Sequence, residues 1–531
     1  MSTPLETYKF CIIVGAGVGG LMQAAELVRK KVLSIHDLQI FERDSDYGGV
    51  WKAATYPGAA CDVFSCTYQI SWHRNPGAEL VQYYRQFAEH YGLPQCTTFG
   101  QNVVQATWSA EKSLWIVDLE DVHSGSRTCW TCRVLIQAAG TYNRKSIPEY
   151  PGMHLFRGEM WHASDWPENY DFAGKSVAYV GTGPTSVQVL PYIQAQAKDV
   201  NVFCRSMTYC HPFTNIKYPG WVKWAFRWIP GLLALYALIV ASLFALWAYF
   251  AFRPETWLAR YTERYCRRTL EKRVPDLALR EKLNPIGRFG SKRPLVSLSG
   301  FFEILQKENV NVISNPIIAV DETGIITEAP STNDAIIQMD DVEISVSSAS
   351  TDRPKVGGTH IKADVLIWGT GFQMQGWGGA VPTVGYEGKL LSEHWKDYPK
   401  TLFGTMTSHF PNLILVNGPN TTTPWGSLIR SLEHQTSFNL KVISHIHERS
   451  ADDPSYAIEP QPEKESAWTE SMQPELDKLA TSPKYGPGFY YLNSKGQNTF
   501  FWPWPQRYYW WKTRRLNLRD YVERFGIHKE H

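Results

Sequence analysis

Residues 10–20 read FCIIVGAGVGG: a short apolar run that ends in Gly15-x-Gly17-x-x-Gly20 and opens into an Ala/Leu-rich helical pattern, LMQAAELVRK, at 21–30. Strand, tight glycine turn and helix in that order leave few folds open. The apolar run is too short for a secretory signal and reads as a buried strand. Its glycines let the backbone turn sharply and approach a pyrophosphate, which sits on the helix N-terminus where free N–H groups and the dipole favour negative charge. A second strand pattern, LQIFE, ends in Glu42, twenty-two residues after Gly20. A carboxylate at that spacing is placed for a ribose hydroxyl pair.

The arrangement recurs. SVAYVGTGPTSVQVLPYI, 176–193, carries a strand, Gly181-x-Gly183-x-x-Ser186 and a helical pattern in which Gln188 joins the candidate cofactor contacts. Serine in third place is still small enough for close helix–strand packing. The next strand pattern, VNVFCRS, ends in Arg205 and Ser206 instead of an acid. A guanidinium there suits a 2′-phosphate by bidentate hydrogen bonding, whereas Glu42 would repel one. Two dinucleotide sites of different character, the second suited to NADPH, are expected of a flavoprotein that takes hydride from a nicotinamide. VLIQAAGTYN, 134–143, and ADVLIWGTGF, 363–372, are further buried strand patterns with glycine exits. Each is either a plain sheet strand or a return to the flavin domain with a cofactor contact, Gly371 being the candidate in the second.

At 531 residues the chain is long enough for two or three domains. Its 53 basic and 51 acidic residues leave a net charge of +2, without the electrostatic footprint of a nucleic-acid binder. Nine scattered cysteines and no secretory N-terminus point to reduced thiols in the cytoplasm, and no metal site is expected. SVSSASTDRPKVGGT, 345–359, reads as a surface loop.

Between the two glycine turns lies FRGEMWHASDWP: Phe156-x-Gly158-x-x-x-His162-x-x-x-Trp166-Pro167. This string resembles the fingerprint of type I Baeyer–Villiger monooxygenases, a branch of the class B flavoprotein monooxygenases, and its Trp-Pro ending separates it from the related flavin-containing monooxygenases. GGVW at 48–51, YPGAACDV at 56–63, SKRP at 291–294 and FPNLILVNGPN at 410–420 extend the resemblance, and the tail NSKGQNTFFWPWPQRYYWWKTRR resembles fungal relatives. The resemblance implies FAD and NADPH as cofactors. It implies Gly49 and Trp51 at the flavin, Arg293 beside the flavin with Asp62 as its partner, and Lys292 joining Arg205 and Ser206 at the NADP phosphate. It gives the fingerprint, including His162, a linking role and no acid–base chemistry. Lys52 and Ala60 stand where the family usually has an aromatic and an arginine, which bears on substrate shape.

The chemistry implied is insertion of one atom of O2 beside a ketone carbonyl of a bulky apolar substrate, giving an ester or lactone, with a place in secondary metabolism. Negative charge must be stabilised and water excluded, and an arginine keeps its charge at any working pH. The same cofactors could instead oxidise sulfur, nitrogen or an activated carbon. A disulfide reductase is a more distant alternative, since Cys61 and Cys66 have Cys-x4-Cys spacing and Cys129 and Cys132 form a CxxC.

IPGLLALYALIVASLFALWAYFAF, 229–252, is long enough to span a bilayer, but one crossing would put halves of a single active site on opposite sides. A re-entrant or monotopic helix feeding apolar substrate into the cleft and a fully buried helix remain as readings, and Trp221, Trp224 and Trp228 form either an interfacial face or a core stripe. The expected fold is α/β, with two Rossmann-like dinucleotide-binding domains and a helical insertion. The FAD domain is expected at 1–150 and 364–531. The NADP domain is expected at 151–215 and 286–363, with the helical, apolar insertion at 216–285.

Overall fold

The structure is a computed structural model that describes residues 7–74, 79–212, 218–297, 300–329, 358–424, 426–486 and 490–525. Most of the expected 345–359 loop, residues 345–357, therefore lies outside the described residues.

Two sheets, one mixed and one parallel, organise the chain. The first has eight strands. Its centre is β1 (Thr7–Val14), flanked in parallel by β2 (Leu38–Phe41) and by the upper half of β5 (Arg127–Gln137). An antiparallel meander of β3 (Gln101–Ser109), β4 (Leu114–Asp121) and β5 extends it. The final four residues of β1 are buried, as a strand covered on both faces requires. Helix α1 (Val18–Arg29) covers one face and packs against α7 (Leu428–Asp452), whose buried Leu432, Phe438 and Val442 share its core. The chain returns to this sheet late, at β13 (Leu413–Leu415) beside β5.

The second sheet holds five parallel strands in the order β11 (Val310–Ile313), β8 (Asp199–Phe203), β7 (Ser176–Val180), β12 (Val365–Trp368) and β6 (Glu159–His162). Helix α2 (Pro184–Gln194) follows β7. This placement corrects the expected boundary at 363/364. The VLIW run of β12 is a central strand of the second sheet, in register with Val177–Val180 on one side and Glu159–His162 on the other. The chain leaves for the first sheet only after Trp368. A continuous apolar run of four fits a strand buried on both faces but does not say in which sheet.

Between β9 (Cys210–Pro212) and β10 (Leu295–Ser297) the chain is helical: α3 (Gly220–Trp228), α4 (Leu232–Ala251), α5 (Trp257–Arg273) and α6 (Leu277–Lys282). The apolar segment is not one helix from 229. Gly231 at φ +78° separates α3 from α4. Nor is it buried: few residues of α4 are covered, and Trp221, Trp224 and Trp228 are 61–74% exposed, so both the buried-helix and the core-stripe readings are overturned.

Candidate active site

The first glycine turn is tight because side chains would not fit. A Cβ on Gly20 would lie 2.0 Å from the Gly15 carbonyl oxygen, and one on Gly15, at φ +106°, would lie 2.7 Å from that of Ala138. A Cβ on Gly49 would sit 3.0 Å from the Cα of Gly17, so these two bare backbones face each other across a side-chain-free cradle at the start of α1. No side chain caps α1, which leaves its first N–H groups for a ligand. Glu42, just past β2, is buried and accepts from Ala16 N–H at 2.6 Å and Asp44 N–H at 2.9 Å. Burial nevertheless pushes its pKa above the usual carboxylate value. Glu42 thus braces the turn at the edge where a ribose would lie. Trp51 follows on a short helix, its Nε1 donating to the Tyr68 hydroxyl at 3.2 Å.

The second turn repeats the device. A Cβ on Gly181, at φ +123°, would meet the Gly369 carbonyl oxygen at 2.4 Å, whereas one on Gly183 would meet nothing within 4 Å: there is open space at the uncapped N-terminus of α2. The Ser186 hydroxyl donates to the Gly183 carbonyl at 2.5 Å. Beyond the end of β8, Lys292 donates to the Ser206 hydroxyl, and Arg205 is close enough to act on it. Lys292 is buried, and burial together with the Arg205 charge holds its pKa below the ordinary lysine value. Two cations and a hydroxyl gathered beside a free helix N-terminus suit a phosphate.

Arg293, next in the chain, faces the other way. Its guanidinium pairs with Asp62, which raises its pKa further, and donates to the Tyr142 hydroxyl at 3.4 Å. Tyr490 hydrogen-bonds it, and the Tyr490 hydroxyl donates to that of Tyr491 at 3.1 Å. The adjacent residues Lys292 and Arg293 therefore meet partners on opposite sides, Ser206 and Asp62, from one turn. Tyr491 packs with Phe500 and Phe501. These aromatic partners escaped the sequence reading: Tyr490 and Tyr491 lie in a tail without a glycine signature, although Tyr142 stands two residues after Gly140, the glycine exit of VLIQAAGTYN.

The fingerprint forms the seam between the sheets. His162 ends β6, buried, with Nδ1 2.7 Å from the Ser164 hydroxyl and Nε2 donating to the Gly371 carbonyl at 2.9 Å. The Ser164 N–H also points at Nδ1, at 3.2 Å, so the neutral ring protonated at Nε2 satisfies all three contacts. Burial lowers its pKa accordingly. The Gly371 carbonyl also accepts from Ser146 N–H at 2.9 Å, so this glycine joins the strand exits after β5 and β12. A Cβ on Gly158 would meet the Asp364 carbonyl oxygen at 2.4 Å. Phe156 packs beneath the second sheet, Trp166 is buried against Phe172, and the chain continues through Pro167. Gln188 belongs to this seam and not to an open cofactor face: its amide donates to the Ala60 carbonyl at 3.0 Å and accepts from Ala60 N–H at 3.2 Å, tying α2 to the segment that carries Asp62.

The cysteines do not form a redox centre. Cys61 is pushed up to about 12 by burial and Cys66 is also raised, the reverse of an activated thiolate. Cys129 and Cys132 are three residues apart on β5 and point to opposite faces. Among the described residues no cluster of His, Cys, Asp and Glu could hold a metal.

Comparison with known proteins agrees with this geometry. A family model described as NAD(P)-binding Rossmann-like domain matches residues 13–87, and one described as Flavin-binding monooxygenase-like matches 73–221. The chain is 32% identical over 533 residues to the FAD-binding monooxygenase BOA2 of Botryotinia fuckeliana, covering 98% of this chain and 96% of that protein. It is 28% identical over 517 residues to a Baeyer-Villiger monooxygenase of Streptomyces coelicolor, covering 96% and 91%. Among solved structures, cyclohexanone monooxygenase from Rhodococcus sp. Phi1 bound to NADP+ shares the fold at a TM-score of 0.79 and 23% identity, over 98% of this chain and all of that one. With two glycine turns and the fingerprint between them, the chain belongs to the FAD- and NADPH-dependent flavoprotein monooxygenases of Baeyer–Villiger type.

Proposed function

We propose that the reaction centre is the Arg293–Asp62 pair and that its substrate is a bulky, apolar ketone. The observation that carries this is the guanidinium held by a carboxylate and ringed by Tyr142, Tyr490 and Tyr491, one residue from the cation that meets Ser206. FAD, when bound, supplies the redox chemistry, taking hydride from NADPH and passing electrons to O2. The Gly15–Gly20 cradle with Gly49, Glu42 and Trp51 would hold it, and the Gly181–Ser186 turn with Arg205, Ser206 and Lys292 would hold NADPH. Arg293 stabilises the negative charge that builds at the reacting oxygen and at the ketone carbonyl. Asp62 fixes its direction, and the tyrosine and phenylalanine rings keep water away. The overall balance is ketone, O2, NADPH and a proton to ester or lactone, NADP+ and water.

In this reading the flavin domain comprises the first sheet, up to about residue 150 and again from about residue 369. The second sheet with its helical insertion forms the NADP domain, and His162 and Gln188 couple the two. A place in secondary metabolism is part of this reading. The enzyme is cytosolic, with residues 229–252 in contact with a membrane. The test is product analysis with NADPH, isotope-labelled O2 and a panel of cyclic, aryl and long-chain ketones alongside thioethers. Esters or lactones carrying one labelled oxygen are expected. Sulfoxides alone, or NADPH oxidation with no oxygenated product from any ketone, would overturn the assignment.

A further inference from the structure

Helix α4 has twenty residues and a mean hydropathy of 2.2, and its length is about 30 Å, yet the fold covers little of it. Leu235, Leu238, Ile239, Leu243, Leu246 and Phe250 are 41–63% exposed and, at 100° per residue, fall on one arc of the helix. Highly exposed tryptophans stand at both ends: Trp221, Trp224 and Trp228 on α3 before it, and Trp257 on α5 after it. Soluble monomers rarely leave so continuous an apolar face in water.

Topology decides how such a face can be used. β9 and β10, which bracket the helices, pair in parallel from Cys210↔Leu295 to Pro212↔Ser297. The chain therefore leaves and re-enters one body at one place, and a crossing is excluded. The opposite side of α4 is fastened along its length: Leu233 and Ala237 pack on Cys66 with Phe64 and Phe226 beside them, and Phe244 meets the Phe64 ring at 6.0 Å. A helix pinned this way presents its free arc flat, with tryptophans at both ends of the stripe, the places where amphipathic rings favour a lipid–water boundary.

Charge identifies what the face meets. Residues 220–288 contain twelve Lys and Arg against five Asp and Glu, a surplus of seven in a chain whose total surplus is two. Arg260, Arg264 and Arg268 on α5 are exposed. A second copy docked through the same face would bring two such surpluses together, which self-association disfavours. An anionic lipid surface complements them.

We propose that α3, α4 and α5 form an in-plane platform that seats the enzyme on an anionic membrane leaflet, the apolar arc of α4 among acyl chains and the arginines of α5 at the headgroups. This docking deepens the membrane contact proposed for residues 229–252 and stands whether or not the ketone reading does.

The test is flotation of the FAD-loaded full-length enzyme with vesicles of phosphatidylcholine alone or mixed with phosphatidylserine. Most of the protein should float with the mixed vesicles and little with phosphatidylcholine alone, and high salt should release it. A variant carrying Leu243→Glu and Leu246→Glu should stay in solution while keeping bound FAD and NADPH consumption, so lost flotation is not lost folding. Arg260→Gln with Arg264→Gln and Arg268→Gln should abolish the phosphatidylserine preference without disturbing the core. Wild-type enzyme that floats with neither vesicle overturns the proposal, and equal flotation with both overturns its anionic part. A dimer in light scattering that the Leu243/Leu246 variant dissolves assigns the face to a second copy instead. Product analysis, run separately, carries the ketone reading.

Discussion

Coenzyme preference offers a quantitative test because the candidate phosphate site carries an internal conflict. Lys292 is buried beside Ser206, and both burial and Arg205 work against its charge. A 2′-phosphate removes that conflict, and NADH has none to offer. One charge-assisted hydrogen bond is worth about 1.5–3 kcal/mol, equivalent to roughly ten- to hundredfold in affinity. Lys292→Met, which keeps the aliphatic stem and removes the cation, should therefore raise the KM for NADPH by roughly ten- to hundredfold and leave that for NADH unchanged. Arg205→Gln should act in the same direction. The double variant should lose less than the sum, since removing either cation relieves the other. The sign of the pH dependence follows: the charged lysine binds phosphate, so NADPH affinity falls as pH rises through the lowered Lys292 pKa, earlier than an ordinary lysine would cause. Steady-state kinetics with both coenzymes decide the matter. If the two KM values rise in step, or the double variant still prefers NADPH, Arg205, Ser206 and Lys292 do not hold the phosphate.

Arg293→Ala should lower ester formation by about a hundred- to a thousandfold, the cost of losing one donor to developing negative charge, while leaving reduction of FAD by NADPH largely intact. Equal loss of both steps in rapid-reaction absorbance would mean that the residue only supports the fold. Gly20→Ala places a Cβ 2.0 Å from the Gly15 carbonyl, so purified protein should carry much less FAD, and a wild-type flavin-to-protein absorbance ratio would contradict the cradle. His394 and His434 are each held down to about 4, chiefly by burial, against 6.5 in the unfolded chain. The unfolded chain therefore binds more protons in that window, and stability falls as pH drops from about 6.5 toward 4, by at most roughly 1.4 kcal/mol per pH unit for each. Urea midpoints at about pH 5 and about pH 7 should differ in that direction, and equal midpoints would refute it.

The parts legible in the sequence are those that local geometry dictates. The Gly15–Gly20 and Gly181–Ser186 strings are forced by contacts within a few residues or with an adjacent strand, so their spacing carries the fold. Glu42 and Arg205 are readable because each stands just past a parallel strand next to its turn, at a distance set by one βαβ crossover. The Val365–Trp368 run could not be assigned to a sheet, since apolarity states that both faces are covered and not by what. Gln188 looked like a cofactor residue because it follows the motif, but a helix turns its successive residues to different sides, and this one meets Ala60 across the seam. Tyr490 and Tyr491 reach Arg293 from a tail nearly two hundred residues on, a closure that no local pattern announces.

The pairing of Lys292 and Arg293 shows why these long-range closures matter. Neighbouring residues diverge, so one short turn before β10 sends a cation to Ser206 past the end of β8 and another to Asp62. The Arg293–Asp62 pair thus ties this turn to the segment that carries Asp62. The Gln188–Ala60 amide pair ties α2 to the segment that carries Asp62, and the Gly371 carbonyl, which accepts from His162 at the end of β6, also accepts from Ser146 after β5. An ion pair and an amide pair thus join the two halves at separate points. These contacts join residues far apart in the chain, so they follow from how the two sheets pack and from no local pattern in the sequence.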